Sequence, residues 1–479
     1  MTKRALLFFA LIWGGSSASA MSVQDYLQMV QKRNRTVRAL EVSTEAADDR
    51  MESIDIDLAP YMSAEANHIN DRSPLSQFAT LGSSEVKTTS YSLGLGKKFS
   101  SGTEVNLFAS TYEVENSGML PAFQQFSKFG VGSLGVSLSQ SLWKDFFGRA
   151  TRLRTQRQTL VTEAQKGLYD LQRKQLLVDA ETAYWNYVYA QENLKIGRDS
   201  LERAQRLENW SRRRVNDGIM DTADLYAAQS LVAARQLQLV SAQDDLDAAK
   251  RQIRDFLELS DSEELPAITG NLSQKRNLIS MVEGDKANAR IVALGAYLAS
   301  LESKAKSVGA QEVEDQLKPD LVLSGAYNTN AFEQDMASAT QEWTDTDRPT
   351  QKIGLKFTYA FDVGAKQATR EAAKKDALVA KLQSERKMLE SESAWIELNR
   401  RYTEMSRRVS LAENLSSLMT KTAKAQTDLF NKGRAITATV LTAEEDAGNA
   451  ELSLIKLKSE QRKMETQGRL FIGLEGEQP

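Results

Sequence analysis

The chain has 479 residues, 61 basic and 64 acidic side chains, a net charge of −3, no cysteine and one histidine. So balanced a charge excludes a nucleic-acid footprint, and the missing cysteines exclude disulfides, thiol chemistry and a lipid anchor on an N-terminal Cys. His68 alone cannot make a His-based triad or a multi-His metal site; it falls in a strand and reads as an ordinary polar side chain.

Lys3 and Arg4 precede an apolar run from Ala5 to Trp13 and the small residues Ala18-Ser19-Ala20. That is the pattern of a secretory signal peptide cut after Ala20, and its apolar run falls well short of the roughly 20 residues that a spanning helix needs. Loss of Lys3 and Arg4 takes the net charge from −3 to −5. Charged residues interrupt every later apolar run, and the mean hydropathy is −0.44. Any membrane crossing must use β-strands.

From residue 21 a helix is expected to end at Leu58-Ala59-Pro60, with a strand from Tyr61. Two further strands, Tyr91 to Phe99 and Thr103 to Val114, join at Ser100-Ser101-Gly102, and Val105, Leu107 and Ala109 alternate there with polar positions. A fourth segment alternates Leu134, Val136, Leu138 and Leu142 with Ser133, Gly135, Ser137 and Ser139. A period of two over about ten residues is the signature of a barrel strand. Residues 149 to 260 contain no proline and are rich in helix formers, so they read as a helical hairpin that turns at Gly218. After that turn Leu225, Val232, Leu239, Leu246 and Ile253 recur every seven residues, with Ala228, Ala242 and Ala249 as the companion row. Arg235 interrupts the seam.

A linker from Glu263 to Asn277 carries Pro266 and Gly270, and the plan then repeats over residues 278–479. A helix ends at Leu317-Lys318-Pro319, a strand starts at Leu321, and Ile353, Leu355, Phe357, Tyr359 and Phe361 alternate with Lys352, Gly354 and Lys356. The proline-free stretch gives a second helical hairpin over 364–475 with its turn at Gly433, and Val440, Ala447 and Leu454, beside Ala443, Leu457 and Met464, continue the heptad until Gln461. Shifting the first set by 215 positions lands on the second in phase. The repeats are therefore 21–262 and 278–479. The first helix of each hairpin would run about 68 residues, roughly 100 Å, longer than any compact globular domain requires. Strands this few per half cannot close a core, unless copies from other subunits complete it.

A signal peptide, a duplicated helix-strand-strand-helix unit and two glycine turns near residues 218 and 433 together resemble the TolC-like outer-membrane efflux protein family. The resemblance covers essentially the whole mature chain and is most specific in the strand-to-helix passages Ser141 to Arg149 and Tyr359 to Lys366. It implies an α+β membrane protein: a homotrimer whose strands share one barrel in outer-membrane lipid, and whose helices form a long periplasmic coiled-coil tunnel. It further implies passage from an inner-membrane transporter through a periplasmic adaptor (membrane fusion) protein, in efflux or type I secretion, with no cofactor and no chemistry.

Family members commonly supply four strands per subunit, whereas the first half here carries the additional hairpin within 91–114, which either projects outward or widens the barrel. The family often places acids just after the second turn to form constricting rings, but Thr439 and Thr442 hold those positions, and Glu444, Glu445 and Asp446 follow deeper. In the first half Asp221 and Asp224 are gate candidates. Capping explains them equally: Asp221 suits an N-cap with Asp224 in the first helical turn, and Thr442 with Glu445 matches a capping box.

Adaptor docking is expected at the tips, where the family presents small apolar residues beside each turn glycine. Asp217 and Ile219 flank Gly218 here, and Lys432 and Arg434 flank Gly433, so a charge-complementary adaptor is expected. Tyr91, Phe99, Tyr112, Trp143, Tyr327, Tyr359 and Phe361 suit an interfacial belt or plain strand packing, while Trp185, Trp210 and Trp395 read as coiled-coil packing. Rival readings are a periplasmic adaptor, which carries its helical hairpin once, and a structural envelope coiled coil, which needs no repeated strand-to-helix passage. No nucleophile-base set, phosphate loop or metal spacing points to an enzyme.

Overall fold

The computed structural model describes residues 21–73, 83–260, 262–274, 276–284 and 290–474; the expected signal peptide, Pro74 and Pro479 lie outside them. In chain order the first half forms α1 (Val23–Arg33), α2 (Arg35–Glu52), β1 (Tyr61–Asp71), β2 (Glu85–Lys98), β3 (Thr103–Ser117), β4 (Lys128–Ser141), α3 (Arg149–Asn216) and α4 (Thr222–Leu257). The second forms β5 (Glu283–Gly284), β6 (Arg290–Ala293), α5 (Leu294–Gln316), β7 (Asp320–Glu333), α6 (Met336–Gln341), β8 (Thr350–Thr358), α7 (Val363–Asn431), α8 (Thr437–Gln467) and β9 (Phe471–Leu474). These elements divide into two compact units, a strand unit (Ala46–Lys166 and Leu298–Arg386) and a helical unit made of the rest.

In the strand unit six strands form one sheet in the order β1-β2-β3-β4-β7-β8, and every neighbouring pair is antiparallel. Because side chains alternate across a strand, the register fixes which residues share a face. Ala64, Leu93, Ala109 and Leu134 follow one another across four strands, as do Leu107, Val136 and Tyr327, and Leu323 lies opposite Leu355. These residues make a continuous apolar face. The other face carries Glu65, Ser92, Ser110, Ser133 and Asn330 in the same way.

Where β4 becomes α3 the backbone departs from the common regions: Asp145 (φ 55°), Phe147 (φ 44°) and Gly148 (φ 78°) are left-handed. Non-glycine residues there need hydrogen bonds to hold them. Asp145 receives two from Thr151, at 2.9 and 2.7 Å, and its own N–H donates to Asp315 Oδ2 at 2.9 Å. At the far end of the sheet α6 lies on the apolar side, with Ala339 buried against Gly132.

The helical unit starts with a capping box, in which Ser22 accepts from Asp25 N–H and Asp25 accepts from Ser22 N–H. Tyr26, Val30 and Val37 then pack on Ala180, Tyr184, Trp185 and Val188 of α3 and on Leu246, Ile253 and Leu257 of α4. Each large side chain so buried contributes about 1.5–3 kcal/mol. The seam-breaking polar residues are buried with partners: Arg235 donates to Gln238 at 2.6 Å, and Gln461 donates to Ser406 at 2.8 Å.

Two expectations need correction. The second repeat does not open on a helix at residue 278; a 3-10 turn (Leu278–Met281), β5 and β6 come first, and α5 begins at Leu294. Nor does the last helix reach residue 475. It stops at Gln467, and β9 pairs with β5 and β6 in a three-stranded sheet, anchored by Phe471 against Trp395, Leu278 and Leu398. Such short apolar runs carry no period that separates strand from helix.

Candidate functional site

Both turns of the helical unit end in the same local geometry. Ile219 N–H donates to Arg214 O at 2.9 Å and Gly218 N–H to Val215 O at 3.0 Å, with Gly218 at φ 70°. Arg434 N–H donates to Leu429 O at 2.8 Å and Gly433 N–H to Phe430 O at 2.9 Å, with Gly433 at φ 73°. This pair of bonds is the Schellman motif, whose left-handed residue favours glycine. The helices on either side start and stop at equivalent places, since Asn216 and Thr222 lie 215 residues before Asn431 and Thr437.

Asp217, Gly218, Ile219, Lys432, Gly433 and Arg434 are all exposed. The structure brings the two turns together: a Cβ on Gly433 would meet Arg214 Nη2 at 3.5 Å. Below them Trp210 and Phe430 have ring centroids 3.9 Å apart, Arg214 covers Trp210 at 4.1 Å, and Leu207, Phe430 and Val440 make a small core with Met220 and Leu231. A cavity of about 900 Å³ beside this core is lined by Arg203, Arg206, Arg213, Lys424, Asp428 and Glu444, among others. Arg203 bonds Glu444 at 2.8 Å and approaches Glu451 at 3.9 Å, tying α3 to α8.

Asp221 occupies the N-cap of α4, but its carboxylate makes no capping bond, and Asp224 follows in the first turn. The capping box expected at Thr442 and Glu445 is not formed. Because α8 begins at Thr437 with Ile436 as N-cap, both residues lie inside the helix. Thr442 donates to Ala438 O at 3.0 Å and Thr439 to Ile436 O at 2.7 Å. Exposed Asp221 is thus left without a capping bond, whereas the two threonines turn back on their own helix.

A buried ionic knot escaped the sequence reading. Glu181, fully buried, accepts from Arg276 at 2.6 Å and from Arg469 at 3.0 Å, while Glu465 pairs with Arg462 at 2.9 Å and accepts from Tyr402 Oη at 3.1 Å. Burial outweighs these partners and pushes the Glu465 carboxyl up to about 7. Its members come from α3, the linker, α7, α8 and the segment after α8, so no local spacing could have announced them.

The helical unit also leaves large apolar side chains on the surface of α7, Leu389, Ile396, Leu411, Leu415 and Leu418, with Ile396 68% exposed. In the strand unit both edge strands are exposed along nearly their whole length. Among the described residues no helix is long and apolar enough to cross a membrane, and no group of acids and histidine could hold a metal ion.

The family model of outer membrane efflux proteins matches residues 26–257. Over that first half, the chain is similar to the outer membrane efflux protein family. The family match spans the first repeat from α1 to the end of α4, including the strand-to-helix passage and the Gly218 turn. Solved structures extend the likeness to nearly all of the chain. CusC, solved in a study of transmembrane channel formation, is 14% identical with a TM-score of 0.64, over 94% of this chain and 91% of its own. The outer membrane protein VceC of Vibrio cholerae gives 13% and 0.64 over 94% and 95%, and the CmeC outer membrane channel of Campylobacter jejuni gives 12% and 0.62 over 98% and 93%. At such identities the likeness establishes the fold. No curated protein matches the sequence.

Proposed function

We propose that this chain is an outer membrane efflux protein and works as a homotrimeric exit duct, with its strands in outer-membrane lipid and its long helices in the periplasm, after removal of the signal peptide. The observation that carries the reading is the sheet of the strand unit, apolar on one face and open at both edges. In hydrocarbon an unpaired backbone edge costs several kcal/mol per group, so spanning strands must close into a barrel. Successive antiparallel pairings make β8 run opposite to β1, so β8 of one copy can join β1 of the next. The exposed apolar residues on α7 support the same assembly from the helical side.

In this reading an inner-membrane transporter delivers solute through a periplasmic adaptor that docks at the turns. Lys432 and Arg434 favour an adaptor tip with acidic side chains, and Asp217 a basic one beside it. Three copies would bring Asp221 and Asp224 around the tunnel axis as a cation-attracting constriction, with Thr439 and Thr442 as neutral neighbours. The test is light scattering of the purified mature protein together with single-channel recording in planar bilayers. Trimer mass with discrete conductance steps supports the duct; a monomer that never inserts removes it. Loss of adaptor pull-down on Lys432→Glu with Arg434→Glu supports the charge match, and full retention sinks it.

A further inference from the structure

The additional hairpin of the first half lies in the sheet itself. β2 pairs with β1 over the full length of β1, from Tyr61 opposite Gly96 to Asp71 opposite Val86, and β3 pairs with β4 from Thr103 opposite Gln140 to Glu115 opposite Lys128. A hairpin that projected outward would leave β1 beside β4, whereas here two strands separate them. The hairpin is also fixed at its turn. A Cβ on Gly148 would fall 1.7 Å from Ser100 O, Gln140 donates to Ser101 O at 3.2 Å, and Thr103 bonds Gln140 at 2.5 Å. Two added strands keep the number even, so antiparallel closure between copies survives.

The polar face is built to stay low. β2 presents Ser90, Ser92, Gly94 and Gly96, and β4 presents Ser133, Gly135, Ser137 and Ser139. Two aromatic residues of that face lie down on those glycines. The Tyr61 ring sits where a Cβ on Gly96 would be 2.2 Å from Cζ, held by bonds to Asn106 at 2.9 Å and Glu104 at 3.1 Å, and Phe108 covers Gly135, where a Cβ would be 2.6 Å from its Cζ. These two rings, which could reach into a lumen, therefore follow its wall.

We infer that each copy places six strands in the barrel wall, so that three copies close an eighteen-stranded barrel whose lumen takes bulky solutes. The inference rests on the trimeric duct proposed above. With strands about 4.8 Å apart and tilted about 40°, eighteen give a backbone diameter of roughly 36 Å and twelve one of roughly 24 Å. Allowing about 5 Å of side chain on each side leaves a passage roughly 25 Å across in the wider barrel, and the size limit then lies in the helical tunnel.

Electron cryo-microscopy of the mature trimer in lipid nanodiscs reads the wall directly. Eighteen strands in a closed ring are expected, and twelve with the β2–β3 hairpin outside the ring would overturn the inference while leaving the trimeric duct intact. A particle that is not a trimer removes both. The natural lack of cysteine allows a second reading: Ala64→Cys with Leu93→Cys, and Ala109→Cys with Leu134→Cys, should each cross-link within one copy in membranes, as registered neighbours do. Failure of both pairs in assembled trimers places the hairpin elsewhere. Polyethylene glycols added on the extracellular side should enter and lower conductance up to diameters near 25 Å, and a cut-off near 14 Å, that of a twelve-stranded lumen, would overturn the proposed width.

Discussion

Gly218 and Gly433 hold φ values of 70° and 73°, and neither is pressed by a neighbour, since a Cβ on Gly218 would have nothing within 4 Å and one on Gly433 only Arg214 at 3.5 Å. Their requirement is conformational. Gly218→Ala should cost about 1–2 kcal/mol, visible as a lower thermal midpoint, and Gly218→Asn less, because Asn tolerates the left-handed region; equal midpoints for all three proteins would deny the motif its role. These glycines were legible in the sequence because the signal is local and occurs twice. The knot around Glu181 and Glu465 was not, because its partners meet only after distant segments have packed.

That knot makes a prediction about pH. Burial raises the folded-state value of Glu465 to about 7, from an ordinary 4.5, so between those values the folded protein holds a proton that the unfolded chain releases. The resulting stability is fully present below about 4.5 and is lost as pH rises through about 7. Wild-type protein should melt higher at pH 5.5 than at pH 8, and Glu465→Gln should flatten that difference. An unchanged difference in the variant would assign it to other groups.

At the scale of elements, α4 and α8 show how a heptad becomes a packed seam: Val232, Leu246 and Ile253 are buried on one, Val440, Ala443 and Ala447 on the other. α7 differs. Leu389 and Ile396 lie one heptad apart and point away from the rest of the chain, 63% and 68% exposed. Leaving side chains of this size in water forgoes about 1.5–3 kcal/mol each, which a neighbouring copy would recover. Leu389→Glu with Ile396→Glu should therefore keep the helical content measured by circular dichroism but shift the particle towards monomer in light scattering. A trimer undisturbed by both charges would mean that this stripe faces solvent in the assembly. The strands were readable from their period of two, but their sheet order was not, because alternation fixes faces and leaves neighbours open. That the β2–β3 hairpin lies between β1 and β4 in the sheet was given only by the register.

At the scale of the molecule, the offset between the halves is itself informative. Asp320 follows Tyr61 by 259 residues at the strand starts, while Gly433 follows Gly218 by 215 at the turns, and the difference of 44 residues is the insertion that holds the added hairpin. From the strand-to-helix passage to the shorter helix the two halves use one plan, yet they meet at the tips with different chemistry, because Asp217 and Asp224 of the first half correspond to Lys432 and Thr439 of the second. In the proposed trimer only the first hairpin would supply acids within six residues after its turn glycine. Three copies would place three Asp221 and three Asp224 side chains in a narrow passage, where like charges lose solvent and draw cations. Asp221→Ala with Asp224→Ala should then raise single-channel conductance and reduce cation preference, read as a smaller reversal potential in a salt gradient. The same pair should leave the thermal midpoint nearly unchanged, because Asp221 makes no capping bond. A large fall in stability without any change in selectivity would instead make these acids helix-start residues and move the constriction elsewhere along the tunnel.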